Sequence, residues 1–262
     1  MPPDGVEVAV LGPVAVRGAA EPFRRSAALD LVAYLALHRD GVRHAEWSLA
    51  IWPDRAVALP TMHSTASDAR RALGRAPDGT PRLPRGVLLR LHDSVTTDVE
   101  RFAALADSDA LRQRVEAMHL VRGPLFDGLR RSDWAVFDGT RSRTESLVVG
   151  TALRCAEELT WRGDGGDAAW VVRQALLVSP YDERLYRSLL RATASEDGRV
   201  GVRSTMAELL TLAGDPPGRA AGSRRVARGG DERLECLHPK TTALYRGLLE
   251  GSPAAEGELA RL

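Results

Sequence analysis

The sequence predicts an α+β N-terminal winged helix-turn-helix domain, followed by an all-α, tetratricopeptide-like helical domain. Apolar residues alternate from Val6 to Gly18 around Gly12-Pro13, which is typical of two short strands joined by a turn. Three helical patterns and a second alternating segment follow, up to residue 98, and helical patterns alone continue from Val99. We therefore expect two domains, over residues 1–98 and 99–262.

The three predicted helices of the first domain differ in length. The first spans Arg24 to His38, and a shorter one in HAEWSLAIW ends before Pro53, with Leu49 and Trp52 expected to be buried. The third runs from about Thr61 to Leu73. Its apolar stripe has helical spacing and consists of Met62, Ala66, Ala69 and Leu73. The segment Gly86 to Asp98 then alternates as a strand or hairpin would.

The second half contains six further helical patterns and one weak repeat. We expect these helices over residues 99–106, 109–122, 132–162, 166–178, 182–196 and 200–213. Features near Pro180 recur near Pro216, a period of about 35 residues, which matches a helix-turn-helix repeat of the tetratricopeptide type. Five aromatic residues at helical spacings are expected in the core: Trp134, Trp161, Trp170, Tyr181 and Tyr186.

The end of the chain has a different composition. Residues 214–231 are rich in Gly, Pro and Arg, and we interpret them as a mobile linker. The segment LHPKTTALYRGLLEG predicts a last amphipathic helix, and we expect the tail after Ser252 to fray. The sequence has no membrane-spanning stretch and no signal peptide pattern at its start, so we expect a cytoplasmic protein without a membrane partner.

Charge is distributed unevenly along the chain. The net charge is only +1. Lys240 is the one lysine among 36 basic residues, which indicates a GC-rich genome, so the number of arginines is not by itself evidence of nucleic-acid binding. Between Pro60 and His92, however, six arginines stand against two aspartates, Asp68 and Asp78. This local excess can attract phosphates although the whole chain does not.

No pattern predicts enzymatic chemistry. The six histidines have no catalytic or metal-ligand spacing, Cys155 and Cys236 form no CxxC pair, and there is no GxSxG, HExxH or phosphate-binding glycine loop. We therefore expect neither an enzyme nor a metal or cofactor site.

The third helix carries the residues that suit DNA recognition. A recognition helix buries one face and presents short polar and basic side chains to the major groove on the other. The candidate contacts are His63, Ser64, Ser67, Arg70 and Arg71 on the helix, with Arg82, Arg85 and Arg90 on the following hairpin. Asp68, at the edge of this face, would repel phosphates unless Arg71 or Arg75 neutralises it. An ordinary charged surface helix explains the same pattern equally well.

The order of several segments resembles that of the Streptomyces antibiotic regulatory protein family. Arg24 to Asp54 followed by SDARRALG resembles its response-regulator-type winged helix. The remainder resembles its bacterial transcriptional activator domain through VTTDVERFAAL, RGPLFDGL, SPYDERLYRSLLRA and LHPKTTALYRGLL. Asp68 departs from the family, which usually has a basic residue there, and residues 214–231 resemble an insertion.

The resemblance implies an actinobacterial transcriptional activator. The helix with Ser67, Arg70 and Arg71 would bind double-stranded DNA. The helical domain would contact partners or the second subunit of a homodimer. The protein would activate transcription by recruiting RNA polymerase. The alternative is a protein–protein interaction adaptor whose winged helix does not bind DNA.

Overall fold

The computed structural model describes residues 5–130, 132–214 and 234–251. The chain divides into two compact units, Met1–Ser108 with His119–Leu147, and Asp109–Met118 with Val148–Leu262. A small sheet region near the N-terminus precedes a mostly helical remainder.

The first unit is organised around a three-stranded sheet. Strand β1 (Val6–Ala9) is fully buried and pairs antiparallel with β2 (Ala15–Arg17), as the alternation around Gly12-Pro13 predicts. On its other side β1 pairs in parallel with β5 (Val95–Thr97), with Val8 opposite Thr97. The sheet order is therefore β2-β1-β5.

Three helices and a second, two-stranded sheet lie between β2 and β5. The helices are α1 (Ser26–Leu37), α2 (His44–Ile51) and α3 (Leu59–Leu73). Strand β3 (Val42–Arg43) pairs antiparallel with β4 (Leu88–Leu89). The expected hairpin within residues 86–98 is thus absent from this described segment, because β4 pairs with β3 and β5 pairs with β1.

Helix α2 buries a different face from the one that the sequence predicts. Trp47 and Ile51 are fully buried and Trp52 is nearly so, whereas Leu49 is 66% exposed. Successive helical residues are rotated by about 100°, so Leu49 points away from Trp47 and Ile51. The expectation that Leu49 is buried was wrong.

Residues His119–Leu147 also belong to the first unit. The amides of Arg122 and Phe126 donate to the carbonyls of Leu11 and Val10, at 2.7 and 3.0 Å. Helix α4 (Asp98–Ala106) begins directly after β5, and the short α6 is Trp134–Phe137. Because these residues bond to the first sheet region, the compact unit extends beyond the domain boundary expected at residue 98.

The second unit consists of helices. They are α5 (Leu111–Met118), the part of α7 (Thr140–Arg162) from Val148 onward, α8 (Gly165–Leu176), α9 (Glu183–Gly214) and α10 (Pro239–Glu250). Gly198 has a positive φ of 59° and a ψ of −143°, so it interrupts α9 where two separate helices were predicted. The last helix was also predicted.

Helix α10 is attached to α9 by hydrogen bonds from Arg187 to Thr241, at 2.9 Å, and to the carboxylate of Glu183. Glu183 accepts a hydrogen bond from the His238 amide at 3.0 Å and from the Thr241 hydroxyl at 2.6 Å. Thr241 is fully buried. The predicted linker at 214–231 lies, apart from residue 214, outside the described residues, as does the tail after Gly251.

Two of the five aromatic residues assigned to the core are on the surface. Trp161 is 82% exposed and Tyr181 is 51% exposed, whereas Trp134 and Tyr186 are buried. Trp161 lies in the last turn of α7 and Tyr181 in the turn before α9, where helix ends offer few neighbours. No helix in the part of the chain that the structure describes is long and apolar enough to cross a membrane.

Asp98 connects the start of α4 to the end of β1. Its buried carboxylate accepts hydrogen bonds from the amides of Val10 and Leu11, at 2.8 and 3.0 Å, and from Arg122 at 3.2 Å. We expect Asp98→Ala to lower the free energy of unfolding by about 3 kcal/mol, because it leaves buried donors without an acceptor. Urea denaturation measures the loss.

Asp93→Ala is the matched control. Asp93 is 80% exposed and pairs with Arg90 on the surface, so its removal should change stability by less than about 0.5 kcal/mol. Equal stability of Asp98→Ala and the wild type would contradict the assigned role of Asp98.

Candidate nucleic-acid interface

Helix α3 is formed by an apolar stripe between a proline start and a glycine end. Pro60 occupies the first turn, where its missing N–H costs no hydrogen bond, and Gly74 ends the helix with a φ of 69°. The predicted stripe is buried, with 5% exposure or less at Met62, Ala66, Ala69 and Leu73. The buried side of α3 is therefore the one that the sequence predicts.

The opposite side of α3 faces solvent. We call this surface the α3 face, and it consists of Leu59, Pro60, His63, Ser67 and Arg71. Ser64 lies at its edge, half-buried, and its hydroxyl donates to the Thr61 carbonyl at 2.9 Å. The structure thus brings His63, Ser67 and Arg71 together along one exposed row, as predicted from the sequence.

Asp68 does not belong to this surface. It is only 2% exposed, and its carboxylate accepts hydrogen bonds from the backbone amides of Arg24 and Arg25, both at 3.1 Å. Its other oxygen accepts from Arg71 at 2.7 Å. The expectation that Asp68 borders the DNA face was wrong, because the carboxylate is directed to the start of α1. Of the two arginines considered for neutralising it, Arg71 is its ion-pair partner.

The two arginines of α3 are held within the protein. Arg71 pairs with Asp68 and lies 3.7 Å from Glu21. Arg70 is half-buried, and its Nε donates to the Leu83 carbonyl at 3.1 Å. Burial, and to a smaller extent the charge of Arg85, lower the pKa of Arg70 below its usual value.

The three arginines assigned to the hairpin have different environments. Arg82 is buried, and its Nη1 donates to the Leu73 carbonyl at 2.9 Å, so it cannot contact a ligand on the surface as predicted. Arg90 is exposed but bonds to the Arg39 carbonyl and to Asp93, both at 3.0 Å. Arg85 is exposed and has no hydrogen bond or ion pair with another residue of the described segments.

Leu59 is the residue of this surface that the sequence reasoning missed. The predicted helix began at Thr61, whereas the observed one begins two residues earlier. Pro60 is a signal that could have corrected the start, since proline is favoured in the first turn of a helix. Leu59 is consequently presented by α3 itself, and it is 63% exposed.

The groups that the α3 face presents to another molecule are of several kinds. Within residues 5–130, 132–214 and 234–251, no three His, Cys, Asp or Glu side chains are grouped so that they could hold a metal ion. The side chains of the α3 face offer hydroxyl, imidazole, guanidinium and aliphatic groups, which can bond to or pack against another molecule.

The two neighbouring arginines Arg82 and Arg85 should respond differently to truncation. We expect Arg82→Ala to lower the free energy of unfolding by about 2 kcal/mol, since it removes a charged hydrogen bond and buried methylene groups. Arg85→Ala should change it by less than about 0.5 kcal/mol. Thermal and urea denaturation of both variants measure the difference, and equal losses would refute the distinction between a structural and a surface arginine.

Comparison with known proteins gives one domain match and one structural match. Residues 89–201 match the family model of the bacterial transcriptional activator domain. EmbR of Mycobacterium tuberculosis, solved in complex with a low-affinity phosphopeptide, is similar in structure with a TM-score of 0.62 at 22% sequence identity. The match covers 97% of this chain and 69% of EmbR. No curated protein matches the chain.

The two matches differ in how much of the chain they cover. The family model begins at Leu89 and so does not include α3, whereas the likeness to EmbR extends over nearly the whole chain and shows a shared fold. The matched activator domain indicates that the chain is a transcriptional regulator.

Proposed function

We propose that this protein is a sequence-specific regulator of transcription that binds double-stranded DNA through α3. The observation that supports this most is the α3 face, where His63, Ser67 and Arg71 are exposed while the one acidic residue of the helix, Asp68, is buried. A helix of this kind fits the major groove, and α3 itself exposes no carboxylate that would repel phosphates.

The surroundings of α3 support a winged helix-turn-helix arrangement of the first 98 residues. Helices α2 and α3 follow each other through a short, mostly exposed connection. Strand β4, which follows α3, pairs with β3, which precedes α2, and we assign the segment around β4 to the wing. Arg85 precedes β4 and Arg90 follows it. In this arrangement Arg85 contacts a phosphate beside the groove that α3 enters.

The helices of the second unit suit contacts with other proteins. We propose that they form a tetratricopeptide-like domain that mediates homodimer formation and recruits RNA polymerase, so that the protein acts as an activator in the cytoplasm. The matched activator domain, which extends to Gly201, supports this role. Helices α7, α8 and α9 follow each other through short turns, and α8 packs against α9, which is consistent with stacked helix pairs.

Binding of the full chain to a pool of random-sequence DNA duplexes tests the proposal. We expect fluorescence anisotropy to show binding at low salt, and repeated selection from the pool to enrich a defined sequence. Arg85→Ala should weaken binding to all duplexes and reduce the slope of log affinity against log salt by about 0.9, the value for one phosphate contact.

Arg203→Ala is the matched control, because Arg203 is an exposed arginine on α9. It should leave both the affinity and the salt slope unchanged. Absence of duplex binding at low salt would refute DNA recognition, and an unchanged slope for Arg85→Ala would refute the contact assigned to Arg85.

An interaction adaptor is the second candidate function. It is favoured by α6, where Phe137 is 87% exposed and Val136 is 56% exposed, next to each other on the first unit. Such apolar side chains suit a protein partner better than a phosphate backbone. This function predicts that the full chain binds no duplex even at low salt, so the same anisotropy measurement separates the two candidates.

A further inference from the structure

The first turns of the α3 face carry no charged side chain. Its exposed residues up to Ser67 are Leu59, Pro60, His63 and Ser67. The arginines of α3 come later, at positions 70 and 71, and both are bound to groups of the protein. If α3 enters the major groove as proposed above, on which this inference rests, its N-terminal turns meet the base edges with apolar and short polar groups.

The chemistry of base edges then restricts what these turns can recognise. Guanine is usually read by arginine or lysine and adenine by asparagine or glutamine, and none of these residues occurs between Leu59 and Ser67. Serine hydroxyls can bond to several bases and therefore discriminate weakly. The feature of the major groove that suits an aliphatic side chain is the 5-methyl group of thymine.

Leu59 is placed to make this contact. It is the first residue of α3, it is 63% exposed, and it precedes Pro60, which fixes the backbone of the first turn. A single exposed leucine needs no explanation by itself, but this one occupies the end of the helix that approaches the bases most closely.

We infer that Leu59 contacts the methyl group of a thymine and thereby selects A·T pairs under the first turn of α3. Removal of one methyl group from an apolar contact reduces affinity about fourfold. Leu59 is thus a specificity-determining residue, whereas Arg85 contributes affinity that is independent of sequence.

Replacement of thymine by deoxyuridine in the duplex tests the contact, because it removes only the methyl group. The full-chain protein is first used to select a duplex from a random pool, and each conserved thymine is then replaced in turn. For the wild type we expect about fourfold weaker binding at one position. For Leu59→Ala the thymine and deoxyuridine duplexes should bind equally.

Leu49→Ala is the matched control, since Leu49 is a leucine of nearly the same exposure, 66%, on α2. It should keep the fourfold preference of the wild type. Circular dichroism spectra of both variants should equal that of the wild type, because neither side chain is in the core.

Each contrary result has a distinct meaning. If no duplex is selected, the proposed function fails and this inference fails with it. If a duplex is selected but no replacement weakens wild-type binding, or if Leu59→Ala retains the preference, DNA recognition stands and the role of Leu59 is refuted. Loss of the preference in Leu49→Ala would likewise refute the assignment to Leu59.

Discussion

The buried carboxylate of Asp68 is the constraint on which the candidate interface depends. It accepts the backbone amides of Arg24 and Arg25, so it attaches the start of α1 to the middle of α3. A buried amide without an acceptor is costly, and this arrangement satisfies two of them at once. The same contact removes the single negative charge of α3 from the surface and holds Arg71 in place.

Asp98 is a second buried carboxylate of the first unit that accepts hydrogen bonds from backbone amides. It accepts the amides of Val10 and Leu11 and is itself paired with Arg122. The strands of this unit are only two to four residues long, so ladder hydrogen bonds fix few of its segments. Side-chain carboxylates supply the missing connections, which explains why both aspartates are buried although neither belongs to an apolar pattern.

Periodicity explains which parts of the structure could be predicted. The buried stripe of α3 and the succession of α7, α8 and α9 follow from helical spacing over many residues. The burial of Asp68 and Arg82 could not be predicted, because it depends on backbone partners at positions 24, 25 and 73 that are brought near only by the fold. Alternation also predicted strands after Gly86 without revealing that they join two different sheets.

The arginines between residues 60 and 92 show why a charge count overstates contact with DNA. Arg71 and Arg90 are ion-paired, and Arg70, Arg75 and Arg82 donate to backbone carbonyls. A carbonyl does not neutralise a guanidinium, so these three still attract phosphates at a distance. Their side chains are nevertheless held in place, and a direct phosphate contact would require these hydrogen bonds to be exchanged. In the proposed complex with DNA, discrimination between sequences therefore depends on the uncharged turns of α3 more than on its arginines.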